Sequence, residues 1–227
     1  MEKVRLNKFL AERLGVSRRE ADILIDTGKV KINEKRAEIG DRVDKNDKVW
    51  YNGKIIPFFT EFTYLLFNKP RGYVCSRRQQ GENPTIYSIL PKEFFELKTV
   101  GRLDADSEGL ILLTNDGDFA FRMTHPKFSK TKIYHATLDR ELLPEDFAKI
   151  EEGVEIFDGI SKLKLKKIGV REYEVEMHEG RNRQIRRTFA ARGYEVERLK
   201  RLRFGEFELG EIPAGGFRRV QINREGD

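Results

Sequence analysis

The strongest chemical signal in the chain is the segment Gly101-Arg102-Leu103-Asp104-Ala105-Asp106-Ser107-Glu108-Gly109-Leu110. It places three carboxylates at alternate positions, brackets them with two glycines, and leads directly into the apolar run Ile111–Thr114. A tight polar loop held by a strand is a common place for catalytic groups. Calcium binding is the first chemistry to weigh. Asp104, Asp106, Glu108 and Gly109 follow the first half of an EF-hand loop, but the twelfth position is Asn115 instead of glutamate. A strand-like run also follows where that motif needs a helix. Standing alone, the segment could equally be a solvated acidic turn.

Four other segments share its chemical character. Phe67-Asn68-Lys69-Pro70-Arg71-Gly72-Tyr73 puts a Lys-Pro-x-Gly turn at the end of a strand. Lys132-Ile133-Tyr134 sets a tyrosine in a strand beside cations. Glu179-Gly180-Arg181-Asn182-Arg183-Gln184-Ile185-Arg186-Arg187 opens a helix dense in arginine. Arg198-Leu199-Lys200-Arg201-Leu202-Arg203-Phe204-Gly205 is a second basic, strand-like stretch. His125, His135 and His178 are too scattered to suggest a metal site. The single cysteine, Cys75, excludes an internal disulfide and any cysteine-rich metal site.

These segments need a scaffold, and 227 residues suffice for one substantial core or for a small domain joined to a larger one. Lysine and arginine total 44 against 38 aspartates and glutamates, for a net charge of +6. That balance favours a polyanionic partner, and the clustering of cations at Arg18-Arg19, Arg77-Arg78, Arg181–Arg187 and Arg198–Arg203 fits phosphate neutralisation. Solvated charged faces would give the same composition. No apolar run approaches the roughly 20 residues needed to span a bilayer, and Met1–Leu10 lacks a signal-peptide core, so a cytoplasmic protein with no membrane partner is expected.

The chain reads as α+β, without the regular strand–helix alternation of a doubly wound sheet. Leu6, Phe9, Leu10 and Leu14 recur at helical spacing up to Gly15. Ser17-Arg18-Arg19-Glu20 has the capping-box form and opens a second helix, with Ala21, Leu24 and Ile25 inward, that ends near Gly28. Short strands follow at Val30–Ile32 and Val49–Tyr51, and Asn52-Gly53 predicts a tight turn into Lys54–Ile56. Pro57–Phe62 reads as a linker with a packed Phe58-Phe59 pair. Strands are then expected at Tyr64–Phe67, Leu110–Thr114, Ile133–Leu138, Leu163–Ile168 and Tyr173–Met177. Helices are expected at Pro144–Glu152 and Arg183–Arg192, the latter stopping at Gly193.

In their order and spacing, the five chemical segments together resemble the RsuA/RluB family of ribosomal-RNA pseudouridine synthases. Residues 1–56 resemble the small S-four-like RNA-binding domain that this family carries at its N-terminus, and residues 62–227 its catalytic domain. The resemblance implies a small N-terminal α/β domain plus a larger domain with a mixed, mainly antiparallel sheet. It implies that Asp104 is the catalytic aspartate and Tyr134 the aromatic residue that stacks on the target base. It further implies that Arg186 pairs with the aspartate, Leu199 closes the pocket under the base, and Lys69-Pro70 supports the active-site loop. Arg102, Lys69 and Arg183 are expected on the substrate side; since the family allows histidine or arginine at Arg183, this residue is not expected to donate a proton. Arg18 and Arg19, at a helix start that could grip phosphate, and Lys29 are expected to bind RNA.

The implied reaction breaks the glycosidic N1–C1′ bond of a uridine, turns the uracil and joins C5 to C1′. It needs no redox step or group donor, so no cofactor and no metal are expected, and a monomer is the default assembly. The expected substrate is ribosomal RNA, free or within an assembling subunit. Asn68–Ser76 looks like the small-subunit branch of the family, whereas Arg198–Phe207 looks like the large-subunit branch, and large-subunit RNA is the expectation taken forward. Small-subunit RNA, tRNA, and a non-catalytic role in ribosome assembly are the competing readings.

Overall fold

The computed structural model describes residues 3–58, 61–77, 79 and 81–222. Phe59 and Arg78, named above, lie outside the described residues. The chain divides into two compact units, Met1–Thr63 with Asn115–Gly117, and Tyr64–Thr114 with Asp118–Asp227.

In the first unit, β1 (Val4–Arg5) runs straight into α1 (Leu6–Arg13), and α2 (Arg18–Asp26) follows. Leu6, Phe9 and Leu10 turn one face of α1 inward and are buried there. The helix ends at Leu14, after which Gly15 takes φ +68°, a left-handed step that glycine adopts without steric cost. Ser17 caps α2 in both directions. Its hydroxyl accepts from the Glu20 amide at 3.1 Å, and the Glu20 carboxylate accepts from the Ser17 amide at 2.7 Å. The chain then forms β2 (Val30–Ile32), β3 (Lys35–Arg36), β4 (Arg42–Val43), β5 (Val49–Tyr51) and β6 (Lys54–Ile56). Strand β4 pairs with β1, and the others form a sheet ordered β3-β2-β5-β6. Asn52 and Gly53 both take positive φ, at +48° and +76°, as a two-residue hairpin turn requires.

The second unit is built on a nine-stranded sheet. Its strands are β7 (Tyr64–Lys69), β8 (Lys98–Val100), β9 (Glu108–Thr114), β10 (Lys132–Leu138), β13 (Lys164–Lys167), β14 (Glu172–Met177), β15 (Val196–Phe204), β16 (Phe207–Glu208) and β17 (Phe217–Val220). The hairpin β11 (Val154–Ile156) and β12 (Gly159–Ser161) stands apart from it. The path is β13-β14-β10-β15-β9-β7-β17, with β16 on β15 and β8 on β9. Every pairing between these strands is antiparallel except β9 with β15, where Glu108 faces Lys200 and Gly109 faces Arg201. Helices α3 (Gly117–Thr124), α4 (Pro144–Glu152) and α5 (Gln184–Ala190) complete the fold. Ile150 of α4 and Ile185 and Phe189 of α5 join Ala136, Tyr173 and Val175 of the sheet in one apolar core. No described helix is long and apolar enough to cross a membrane.

Among the boundaries that differ from those read in the sequence, two have a clear local reason. The strand expected from Leu110 starts at Glu108, because Glu108 and Gly109 already pair with β15. The helix expected from Arg183 starts at Gln184, because Arg183 takes φ +49° and acts as the residue before it. Gly109 has φ +101°, and a Cβ there would meet the Arg201 carbonyl oxygen at 2.3 Å and its amide nitrogen at 2.7 Å. Only glycine permits the strand to come this close to its parallel neighbour.

Candidate active site

The loop Gly101–Ser107 is secured from behind by groups of mixed type. The Lys69 ammonium, completely buried at 0% exposure, donates to the Ser107 carbonyl at 2.6 Å and the Pro70 carbonyl at 3.0 Å. The Gly72 amide donates to the Ala105 carbonyl at 2.7 Å. The Cys75 thiol lies 3.4 Å from both the amide nitrogen and the carbonyl oxygen of Leu103. Burial pulls the Lys69 ammonium below its ordinary pKa and pushes the Cys75 thiol above its own. The Lys-Pro-x-Gly turn at the end of β7 thus acts as a clamp on the loop.

The front of the loop faces a cavity of about 1020 Å³. Of the residues singled out in the sequence, Asp104, Arg102, Tyr134, Arg183, Arg186 and Leu199 all line it. Lys69 lies behind the loop, and Arg18, Arg19 and Lys29 are exposed on the first unit. Tyr134 and Leu199, on the adjacent antiparallel strands β10 and β15, are 8% and 6% exposed. They supply a ring and an apolar side chain to the cavity that the half-buried Asp104 carboxylate also lines.

The arginine pairing differs from the expected one. Arg186 was expected to pair with Asp104, but its Nε lies 3.2 Å from the Asp106 carboxylate, and its Nη2 donates to the Asp106 carbonyl at 2.9 Å. Its Nη1 donates to the Val196 carbonyl. With Nη1 and Nη2 committed in this way, Arg186 braces the loop through Asp106. The ion-pair neighbour of Asp104 is instead Arg183, whose Nη1 lies 3.9 Å from Asp104 Oδ2. The left-handed backbone at Arg183 accompanies a side chain that forks onto Asp106, at 3.0 and 2.8 Å. Burial pushes the Asp106 carboxyl up, but the Arg183 hydrogen bonds and the charges of Arg186 and Arg183 outweigh this and hold it below the usual carboxylate value. The hydrogen bond to Asp106 raises Arg183 above its ordinary pKa.

Sequence reading missed three contributors. Asp106 was weighed only as a calcium ligand, yet it anchors both arginines. Arg201, read as part of a basic stretch, is 2% exposed. Its Nε donates to the Leu110 carbonyl at 2.7 Å, and its Nη1 lies 3.5 Å from the Tyr134 hydroxyl. Its Nη2 has no hydrogen-bond partner among the described residues. Lys132 donates to the Glu179 carbonyl at 2.9 Å, and its pKa is lowered to about 8 by burial and by the neighbouring Arg201 charge. The two-residue period of β15 gave the available signal for Arg201, because it places Arg201 on the same face as Leu199. Among the described residues, no group of three or more histidine, cysteine or acidic side chains is placed to hold a metal ion.

Comparison with known proteins adds the following. Residues 63–191 match the family model described as RNA pseudouridylate synthase, and residues 4–49 match the S4 domain. The chain is 40% identical over 220 residues to the dual-specificity RNA pseudouridine synthase RluF of Escherichia coli (strain K12), an alignment covering 95% of this chain and 74% of the relative. It is 36% identical over 224 residues to ribosomal large subunit pseudouridine synthase B of Bacillus subtilis (strain 168), covering 95% and 91%. An RNA pseudouridine synthase of Aquifex aeolicus (strain VF5) is 34% identical over 211 residues, covering 92% and 88%. A crystal structure of a pseudouridylate synthase superposes with a TM-score of 0.68 at 32% identity, covering 96% of both chains.

Proposed function

The chain belongs to the RNA pseudouridylate synthase family, and on that premise we propose that it isomerises uridine to pseudouridine in large-subunit ribosomal RNA, with Asp104 as its catalytic carboxylate. The observation that supports this most is the company Asp104 keeps. Its carboxylate lines one cavity with the Tyr134 ring and the Leu199 side chain, and a guanidinium lies 3.9 Å away.

Each side chain has a task in that chemistry. An ionised Asp104 serves as nucleophile, or as base at the ribose, and stabilises charge that develops on the sugar as the N1–C1′ bond breaks. Arg183 places a positive charge 3.9 Å from that carboxylate, and Asp106, itself held by Arg186, fixes where Arg183 sits. Tyr134 and Leu199 hold the detached uracil between an aromatic face and an apolar floor while it turns to present C5. The bond C5–C1′ then forms, N1 gains a proton and C5 loses one. Because atoms and electrons balance within the nucleoside, the reaction requires no net oxidant, reductant or group donor. The target base must leave its stack to enter the cavity, which costs least in a loop or bulge.

The large-subunit assignment draws on the Arg198–Phe207 stretch and on the large-subunit relative from Bacillus. Arg18, Arg19 and Lys29 of the S4-like unit contact the RNA backbone, and the enzyme acts as a cytoplasmic monomer. The test is pseudouridine mapping by carbodiimide labelling and primer extension on unmodified small- and large-subunit transcripts, and on assembly intermediates. Wild type is expected to give one new stop in the large-subunit RNA, and Asp104→Asn none, with RNA affinity nearly intact. A variant within tenfold of wild-type turnover would remove Asp104 from its role. Tight binding without any stop on any RNA would replace the enzyme with an RNA-binding assembly factor.

A further inference from the structure

Phe157 is 86% exposed, the highest value among the large hydrophobic residues on the described surface. It occupies the two-residue tip, Phe157-Asp158, between β11 and β12. Turn chemistry does not require it there. Such tips favour glycine, asparagine, aspartate, proline or serine, and Asp158 with Gly159 (φ +109°) already supplies what this one needs. Burial does not require it either, because the ring leaves almost all its surface in water.

The ring is nevertheless held in place. The Arg187 guanidinium stacks over it, 4.5 Å from the centroid, and donates to the Asp158 carboxylate at 2.8 Å. Arg181 ties the same tip to the start of α5. It donates to the Asp158 carboxylate at 3.2 Å, to the Asp158 carbonyl at 3.0 Å and to the Ile160 carbonyl at 2.8 Å. An exposed aromatic ring with a guanidinium on one side is thereby fixed to the wall of the active-site cavity. Asp158, Gly159 and Ile160 of the same hairpin line the cavity that Asp104 lines.

We propose that Phe157 is a stacking platform for an unpaired base of the substrate RNA next to the target uridine. The inference rests on the function proposed above and adds a second base-binding position to it. A nucleotide can enter the cavity only if its neighbours pass over the rim, and the rim residue least explained by folding is an aromatic one. Protein surfaces bind splayed-out RNA bases by stacking them on aromatic rings and arginine planes. Arg181 and Arg187 add positive charge suited to the adjoining phosphates. A stacked base contributes binding without reading sequence, so the platform accepts any of the four bases.

The test combines protein and RNA changes on the ribosomal RNA fragment that carries the mapped uridine. Wild type, Phe157→Ala and Phe157→Trp are each assayed for kcat, KM and affinity. The substrates are the intact fragment and versions made abasic at one nucleotide at a time on either side of the target. Stacking strengths predict that Phe157→Ala raises KM about tenfold with kcat unchanged and that Phe157→Trp restores it. One abasic position is expected to cost wild type a similar factor and to cost Phe157→Ala nothing further. The inference is overturned if KM and affinity of Phe157→Ala stay within twofold of wild type, or if every abasic change affects both proteins equally. The two readings fail separately: loss of all turnover by wild type defeats the proposed function, whereas normal turnover with an unaltered Phe157→Ala defeats only the platform.

Discussion

The two sides of the loop that carries Asp104 are built by opposite means. Behind it, Lys69, Cys75 and Gly72 hold backbone groups in a water-poor environment, where an unmade hydrogen bond is costly. In front, Arg183 and Asp106 meet with their side chains 43% and 33% exposed, where solvent weakens each charge pair. The back therefore fixes where the carboxylate stands, and the front sets its electrostatic surroundings. The proposed role of Asp104 calls for both, and this molecule assigns them to different residues.

The sharpest way to break that contrast after Asp104→Asn is Lys69→Met. It keeps the volume but removes the donor to the Ser107 and Pro70 carbonyls, so the loop loses its fixed position. A displacement of even 1 Å would lower kcat by about a hundredfold, with KM changed by less than about threefold, because the cavity walls remain. Steady-state kinetics checks this, and a kcat within threefold of wild type would mean the loop is not held from behind.

Asp106→Asn acts on the front and should cost less, about tenfold in kcat, as Arg183 loses its fork. It also has a pH signature. The folded carboxyl of Asp106 lies below its unfolded value of about 3.9. Its contribution to stability is therefore fully present above that unfolded value and is lost as pH falls through the lower folded one. Thermal midpoints measured from pH 3 to pH 7 should fall less steeply at the acid end in Asp106→Asn than in wild type. Parallel curves would mean that the arginine pairing is not linked to folding.

The smallest effect is expected in the first unit. Arg18→Ala with Arg19→Ala should leave kcat alone and reduce the slope of log affinity against log salt by about one to two, since each lost phosphate contact removes roughly one released counterion. An unchanged slope would mean these exposed arginines do not touch the RNA backbone.

The elements legible in the sequence are those whose signals are local. Ser17 and Glu20 announce their capping box three positions apart, and Asn52-Gly53 announces its turn without reference to anything distant. The strands β7, β10 and β14 were also readable, because their apolar residues are bounded by turn signals. By contrast, β8 and β17 were not anticipated, since Lys98–Val100 is three residues long and Phe217–Val220 carries two arginines at an exposed edge. In the site, motif resemblance placed Asp104, Tyr134 and Leu199 at one cavity but misassigned the partner of Arg186. Residue type alone does not say which of two carboxylates, two positions apart, an arginine will reach. Nor does it say that Arg201, one of a run of cations, is buried while its neighbours are not.

The crossing at Gly109 also bears on how the protein is made. It brings together Asp104's loop and the strand bearing Leu199 and Arg201, and the Arg201–Leu110 hydrogen bond spans 91 positions of chain. Parallel pairing across such a separation carries a loop-closure cost before it is stabilised, and long-range pairs of this kind form slowly. During synthesis the acidic loop emerges from the ribosome long before β15 is available to complete the floor of the cavity. The cavity is therefore completed late: a growing chain that already displays the Asp104 carboxylate lacks the wall that Leu199 and Arg201 supply until its last long strand has docked.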